Sequence, residues 1–544
     1  MKKFSANIVD VLNETVFPGT IYVEDGKIVK IKKETKEYET FILPGFIDAH
    51  IHLESSMLTP SEFARISVVH GTVGCVADPH EIANVVGLAG IKFLIEDGKK
   101  VNFRFYFSAP SCVPATSMET SGASVSIEEI RELIENGHAR HLGEMMNFPG
   151  VIKEDPEVMA KIELAKKFDI PIDGHAPGLS GADLEKYVGK GITSDHESFS
   201  RREAVEKLKL GMKIIIREGS AAKNFDNLIP LADYYFNDMM FCSDDKHPDD
   251  LIKGHINDLV RRAVSKGISM MKALKMACVN PVRHYKLDVG LLQPGDNADF
   301  IEVSNLRNLD ILRTVINGDI VAENGRANHD FFPSGLINNF NCEKKSISDF
   351  EIADKGKAVK VIKLIDDQLV TGKSSYDLKS TDGKLYSDVT NDILKIAVVN
   401  RYHDSVPAVS FVQGFGIKEG AIASSVAHDS HNIIIVGTSD EDICLAANTI
   451  IEKKGGICYV NSRKNISEVI SLPIAGLISN EPYDQVAEKY IKLDMIVKLN
   501  GAKVSAPLMA LSFMALLVIP SLKLSDLGLF DGEKFSLTDI YESI

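Results

Sequence analysis

Six residues of this chain could together hold metal ions: His50, His52, Glu144, His175, His196 and Asp244. The first two lie in FIDAHIHLESSM. In an extended strand, side chains two apart point the same way, so Asp48, His50 and His52 share one face while Ile47, Ala49, Ile51 and Leu53 share the other. An H-x-H pair alone is a weak signal. The rest arrive at similar places, Glu144 in GEMMN, His175 in DGHAPG, His196 in SDHES and Asp244 in CSDD. Imidazoles and carboxylates without a thiolate suit Mn²⁺, Fe²⁺ or Zn²⁺. Four histidines and two carboxylates exceed one tetrahedral site and fit two cations roughly 3.5–4 Å apart, with Glu144 as the natural bridge. Such a pair lowers the pKa of water from 15.7 to about 7, which makes hydrolysis the expected chemistry. Asp244, beside the activated water, is the expected proton shuttle. Asp48, one layer deeper, reads as a support for the ligands.

The elements that must position these residues alternate between strand-like and helical patterns. Eight apolar runs, GFIDAHIHL, TVGCVADPH, FRFYFSAP, HLGEMM, IPIDGHAP, GITSDHES, MKIIIREGS and MMFCSDD, end in polar residues. The pattern predicts a (β/α)₈ barrel over 44–284, whose strand ends converge on one mouth. β-rich flanks at 1–43 and 285–340, with turn signals at Asp25-Gly26, Asn317-Gly318 and Asn324-Gly325, predict one small β-sandwich domain built from both. Residues 345–544 predict a further α+β domain, with the polar stretch near 341–360 as linker.

Other polar residues fall at the same mouth. Asp78, His80 and Glu81 follow the second run, and Arg217, Glu218 and Ser220 the seventh. His80, Glu81, Arg217, Glu218 and Ser220 are candidates for substrate contact. Glu54, Ser55 and Ser56 could orient ligands or close the pocket, and Asp245, pointing differently from its neighbour Asp244, reads as a support or ion-pairing residue. His428, Asp429 and His431 in AHDSHN read as a pocket lid or domain contact.

Composition narrows the field. With 61 basic against 76 acidic residues the net charge is −15, without a long like-charged run, which argues against nucleic-acid binding. Seven scattered cysteines without C-x-x-C spacing look like reduced cytosolic thiols. The longest apolar stretch, LMALSFMALLVI at 508–519, is too short to span a bilayer, so a cytoplasmic protein without a membrane partner is expected. A homo-oligomer is expected for such a protein.

PGFIDAHIHLESSM, VADPHEIANVVG, GEMMNFPGV, DGHAPGLSG, SDHESFS, IREGSAAKN and CSDDKHP resemble the successive motifs of the adenine deaminases, a branch of the amidohydrolase superfamily. LQPGDNADF, SSVAHDSHNIIIVGTSDED, LPIAGLIS and GLFDGEKF extend the resemblance over nearly the whole chain. It implies hydrolysis of adenine to hypoxanthine and ammonia in purine salvage, at a binuclear Mn²⁺ or Fe²⁺ centre. In that family Glu144 stands where many relatives in the superfamily carry a carboxylated lysine. The metal residues alone leave two other readings open: an amidohydrolase acting on a cyclic amide or a different aminopurine, and a non-catalytic assembly protein on the same barrel.

Overall fold

A computed structural model describes residues 1–542. The central region holds eight strands: β1 (Phe46–Ile51), β2 (Thr72–Ala77), β3 (Arg104–Ala109), β4 (Ala139–Met145), β5 (Ile172–Gly174), β6 (Ser194–Asp195), β7 (Lys213–Arg217) and β8 (Met239–Cys242). β1 to β5 form one parallel sheet in chain order and β6 to β8 another. The sheets meet at two seams. At one, the Thr193 amide donates to the Ile172 carbonyl at 2.8 Å. At the other, the Asp244 amide donates to the His50 carbonyl at 3.0 Å, and Ile51 bridges to Asp244 in parallel. Eight parallel strands with helical crossovers thus curl into the expected barrel.

The strands are apolar runs buried on both faces, as parallel strands covered by helices must be. The crossover helices carry their own start signals. Ile127–Glu135 opens on a capping box between Ser126 and Glu129. Pro156–Lys167 opens on Asp155, whose carboxylate accepts from two backbone amides, with Pro156 in the first turn.

The two flanks share one eight-stranded sheet. Its strands run in the spatial order Arg326–Ala327, Asp319–Glu323, Ile311–Ile316, Phe300–Val303, Phe41–Pro44, Lys2–Asp10, Thr15–Glu24 and Lys27–Lys33. The three expected turns all carry two successive residues at positive φ: Asp25-Gly26 at 48° and 76°, Asn317-Gly318 at 50° and 74°, and Asn324-Gly325 at 52° and 76°. That geometry matches the twist of the strands it joins.

The C-terminal region is a second, mostly antiparallel eight-stranded sheet spanning strands from Val359–Lys363 to Ile466–Ser471. Helix Asp440–Lys453 covers one face through Ile443, Ala446, Ala447 and Ile450. Residues of the other face, among them Ile396, Val398 and Ile422, join the barrel and the helix Pro507–Phe513 in one continuous core.

The stretch 341–360 differs from a free linker. The Asn341 amide donates to the Arg401 carbonyl at 2.7 Å and the Lys345 amide to Asn448 Oδ1 at 2.8 Å. Ile352–Ala353 and Val359–Lys363 are themselves strands. Its amides find partners in the C-terminal region, on the helix Asp440–Lys453 and beside the strand Ile393–Val399, where composition alone suggests solvent.

All seven cysteines are free thiols. Among the described residues, no helix is long and apolar enough to cross a membrane. The apolar stretch 508–519 instead supplies the helix Pro507–Phe513 and an irregular turn that packs over the barrel mouth.

Candidate active site

The six residues singled out from the sequence meet in a buried cage at the strand ends. Alternation along β1 turns His50 and His52 inward, with their Nε2 atoms 3.2 Å apart. Glu144, at the end of β4, divides its carboxylate between two histidine pairs. Its Oε1 lies 3.2 Å from His52 Nε2 and 3.9 Å from His50 Nε2, and its Oε2 lies 2.6 Å from His175 Nδ1 and 3.2 Å from His196 Nε2. Asp244 Oδ1 sits 3.2 Å from His52 Nε2 and 3.5 Å from His50 Nε2.

The backbone holds this geometry from beneath. The Asp78 carboxylate accepts the Glu144 amide at 2.9 Å and the Ser108 hydroxyl at 2.8 Å. Gly143 makes room for it, since a Cβ there would meet Asp78 Oδ2 at 2.4 Å. Asp48 lies below the ligands, accepting the Ser243 amide at 3.0 Å and His255 Nε2 at 2.8 Å.

These residues fit divalent cations. His52 Nδ1 faces the Asp78 carbonyl at 3.0 Å, which can only accept, so Nδ1 carries the proton and Nε2 turns a lone pair into the cage. Burial pushes the Glu144 carboxyl up, but His175 and His196 outweigh it and hold the group well below its ordinary value. At Asp244 burial again pushes up, and Arg217 and then His52 outweigh it. Two ionised carboxylates among converging imidazole nitrogens form a hard, nitrogen and oxygen donor set with more than enough ligands for one ion.

Arg217 does not reach the cavity as a free cation. Its guanidinium pairs with Asp244 Oδ2 at 2.5 Å and with both oxygens of Glu197, the longer contact being 3.2 Å. Glu197 Oε1 also lies 3.5 Å from His196 Nε2 and 3.7 Å from His175 Nδ1. Glu197 carries a single signal in the sequence, its place beside His196 in a polar strand ending.

Glu218 and Ser220 stand apart. Glu218 pairs with Arg262 at 2.6 Å in a separate cleft, and Ser220 donates to Asp250 at 2.7 Å. Arg217 is the last residue of β7, and Glu218 already lies in the irregular segment beyond it. Near the cage, Glu54 accepts the Ile82 amide at 2.9 Å and Ser55 donates to Asp245 at 2.5 Å, while Ser56 closes a local turn onto the Leu53 carbonyl.

A second cluster joins the barrel to the C-terminal region. Glu81 Oε1 meets His428 Nδ1 at 2.5 Å, and Oε2 meets His431 Nε2. The Ala427 amide donates to His431 Nδ1 at 3.2 Å, so His431 is neutral there and donates through Nε2. His428 is pushed down by burial, but Glu81 outweighs that and raises it to about 9. His80 links the clusters, 3.6 Å from Glu144 Oε1 and 3.4 Å from Glu81 Oε1. Asp429 lines the same cavity, with Oδ2 buried and unpartnered. Its remaining walls are Met146, Leu369, Phe513 and Leu516, apolar residues with no local signal in the sequence.

The amidohydrolase family model matches residues 41–321, and the model of the adenine deaminase C-terminal domain matches 368–536. An adenine deaminase of Sulfurovum sp. (strain NBC37-1) is 51% identical over 538 residues, 99% of each chain. The chain belongs to the adenine deaminase family. An adenine deaminase of Salinibacter ruber is 50% identical, with 98% of each chain covered, and one of Methanosarcina mazei is 48% identical over 99% of this chain and all of its own. Among solved structures, a β-aspartyl dipeptidase from Fervidobacterium islandicum AW-1 aligns over 60% of this chain and 98% of its own, at 16% identity and a TM-score of 0.47. Membership of this family makes the chain a metal-dependent hydrolase, consistent with the donor set of the cage.

Proposed function

We propose that this chain hydrolyses adenine to hypoxanthine and ammonia. The observation that carries the reading is the end-to-end likeness to adenine deaminases at about half identity. The cage supports it with residues suited to the reaction. His50, His52, His175, His196, Glu144 and Asp244 would hold a pair of Mn²⁺ or Fe²⁺ ions, with Zn²⁺ the competing occupant. Bound there, the ions supply a water acidified to a pKa of about 7.

The chain's own residues do the rest. Glu144 offers one oxygen to each histidine pair and so sets their spacing. Asp244 takes the proton of the attacking water at Oδ1 and returns it to the amine leaving C6. Arg217 occupies Oδ2 and restricts that traffic to one oxygen. Asp429 and His80 face the purine nitrogens, and Phe513, Leu516 and Leu369 keep bulk water off the ring. The protein acts in the cytoplasm in purine salvage, as a homo-oligomer.

The test is ammonia release after loading metal-free protein with each metal separately, on adenine, adenosine, guanine, cytosine and dihydroorotate. Release from adenine alone is expected; none from adenine with any metal overturns the reading. Asp244→Asn should keep the metal and lose about 10²–10⁴-fold in kcat. Full metal occupancy with retained activity would remove Asp244 from the proton transfers.

A further inference from the structure

The cavity over the cage leaves about 30 Å³ free. That is room for a water or two and not for a bicyclic purine. Next to it lies a larger chamber of about 190 Å³, lined mainly by apolar residues, among them Phe148, Pro177, Leu517, Val518 and Phe535. Met146, two residues beyond Glu144, lines both spaces, and Leu516 faces the cage while Leu517 faces the chamber. Met146 and the Leu516-Leu517 pair form the partition.

The partition sits on an irregular segment between two anchored ends. It belongs to the turn that follows the helix Pro507–Phe513, within the apolar stretch 508–519. Both ends of the turn are pinned. The buried Lys523 donates to the carbonyls of Phe513 at 2.8 Å and Leu369 at 2.7 Å. Past the other end, Thr371 exchanges backbone hydrogen bonds with Pro520 and Ser521 at 3.0 and 3.2 Å. Between the pins, the backbone of 516–519 is held by turn bonds at 3.2 and 3.3 Å, Leu516 to Phe513 and Ile519 to Leu516. Few backbone bonds tie the middle of this segment, and its main hold is the burial of Leu516, Leu517 and Ile519, which an opening has to give up.

We propose that the chamber is a docking vestibule for the purine base and that Met146 with the Leu516–Val518 turn is the gate between it and the metal cage. This rests on the adenine reading above. A planar aromatic base suits an apolar chamber with aromatic residues, Phe148 within and the half-exposed Phe535 at its mouth, and with Thr116 and Asn147 as its polar groups. Movement of the gate would merge the two spaces and place the base over the cage. The long apolar stretch then has a use that its composition did not announce.

Ala115→Trp, on the chamber wall away from the gate, should fill the vestibule and leave cage and gate untouched. The expected result is a fall in kcat/KM of at least about tenfold with kcat and metal content retained, because entry is slowed and chemistry is not. A fall in kcat that matches the fall in kcat/KM, or a wild-type kcat/KM in folded protein, overturns the vestibule. A second variant guards against misfolding: the chain has no tryptophan, so Phe535→Trp supplies a single fluorophore at the mouth. Saturable quenching by adenine before ammonia appears is expected, and an unchanged signal overturns the proposal. Wild-type protein inert on adenine with every metal would instead overturn the deaminase reading.

Discussion

Two buried clusters of histidine and carboxylate lie side by side, joined by His80, and they are balanced in opposite ways. In the strand-end cage, imidazole nitrogens and carboxylate oxygens converge on Glu144 and Asp244, with lone pairs turned inward at His52. In the cluster across the domain contact, each oxygen of Glu81 already has its own histidine, one charged and one donating as a neutral ring. The first offers a donor set suited to cations; in the second both carboxylate oxygens already have partners. Similar residue types therefore serve two purposes, and the direction of their protons and lone pairs decides which.

The largest effect should come from Glu144→Gln, which removes the carboxylate shared by both histidine pairs. Metal content should fall below one ion per chain and deamination by several orders of magnitude; full metal occupancy would mean that the cage does not need its central carboxylate.

Glu81→Gln should do the reverse. It breaks a buried charge pair, which costs about 3–5 kcal/mol in stability, yet metal content should hold. Urea denaturation beside metal analysis separates the two, and metal lost in step with stability would show that the clusters are one unit.

The smallest effect concerns pH. His428 has a folded pKa of about 9, above its ordinary value of 6.5, so folding takes up a proton there. Its contribution is complete below about pH 6.5 and is lost as pH rises through about 9. The melting temperature should decline across that window, and His428→Gln should flatten the decline; an unchanged slope would place the titration elsewhere.

Much of the barrel was legible because its signals are local. Period-two alternation put His50 and His52 on one face, and polar endings marked the convergence of the strands. β7 ends at Arg217, so Glu218 and Ser220 fall in the irregular segment beyond it, where strand alternation no longer places side chains. What could not be read were pairings set by tertiary packing. Glu81 meets His428 and His431 across 347 and 350 residues, and no neighbour in sequence announces either. The apolar walls Leu369, Phe513 and Leu516 look like any core residues until the C-terminal sheet lays them over the cage.

The cavity draws its charged floor from residues up to Asp245 and its roof from Leu369, His428, Phe513 and Leu516. During synthesis the barrel leaves the ribosome first. At roughly 5–20 residues per second, the roof follows on the order of tens of seconds later. The order of the chain thus completes the floor of the site before any of the C-terminal roof is made.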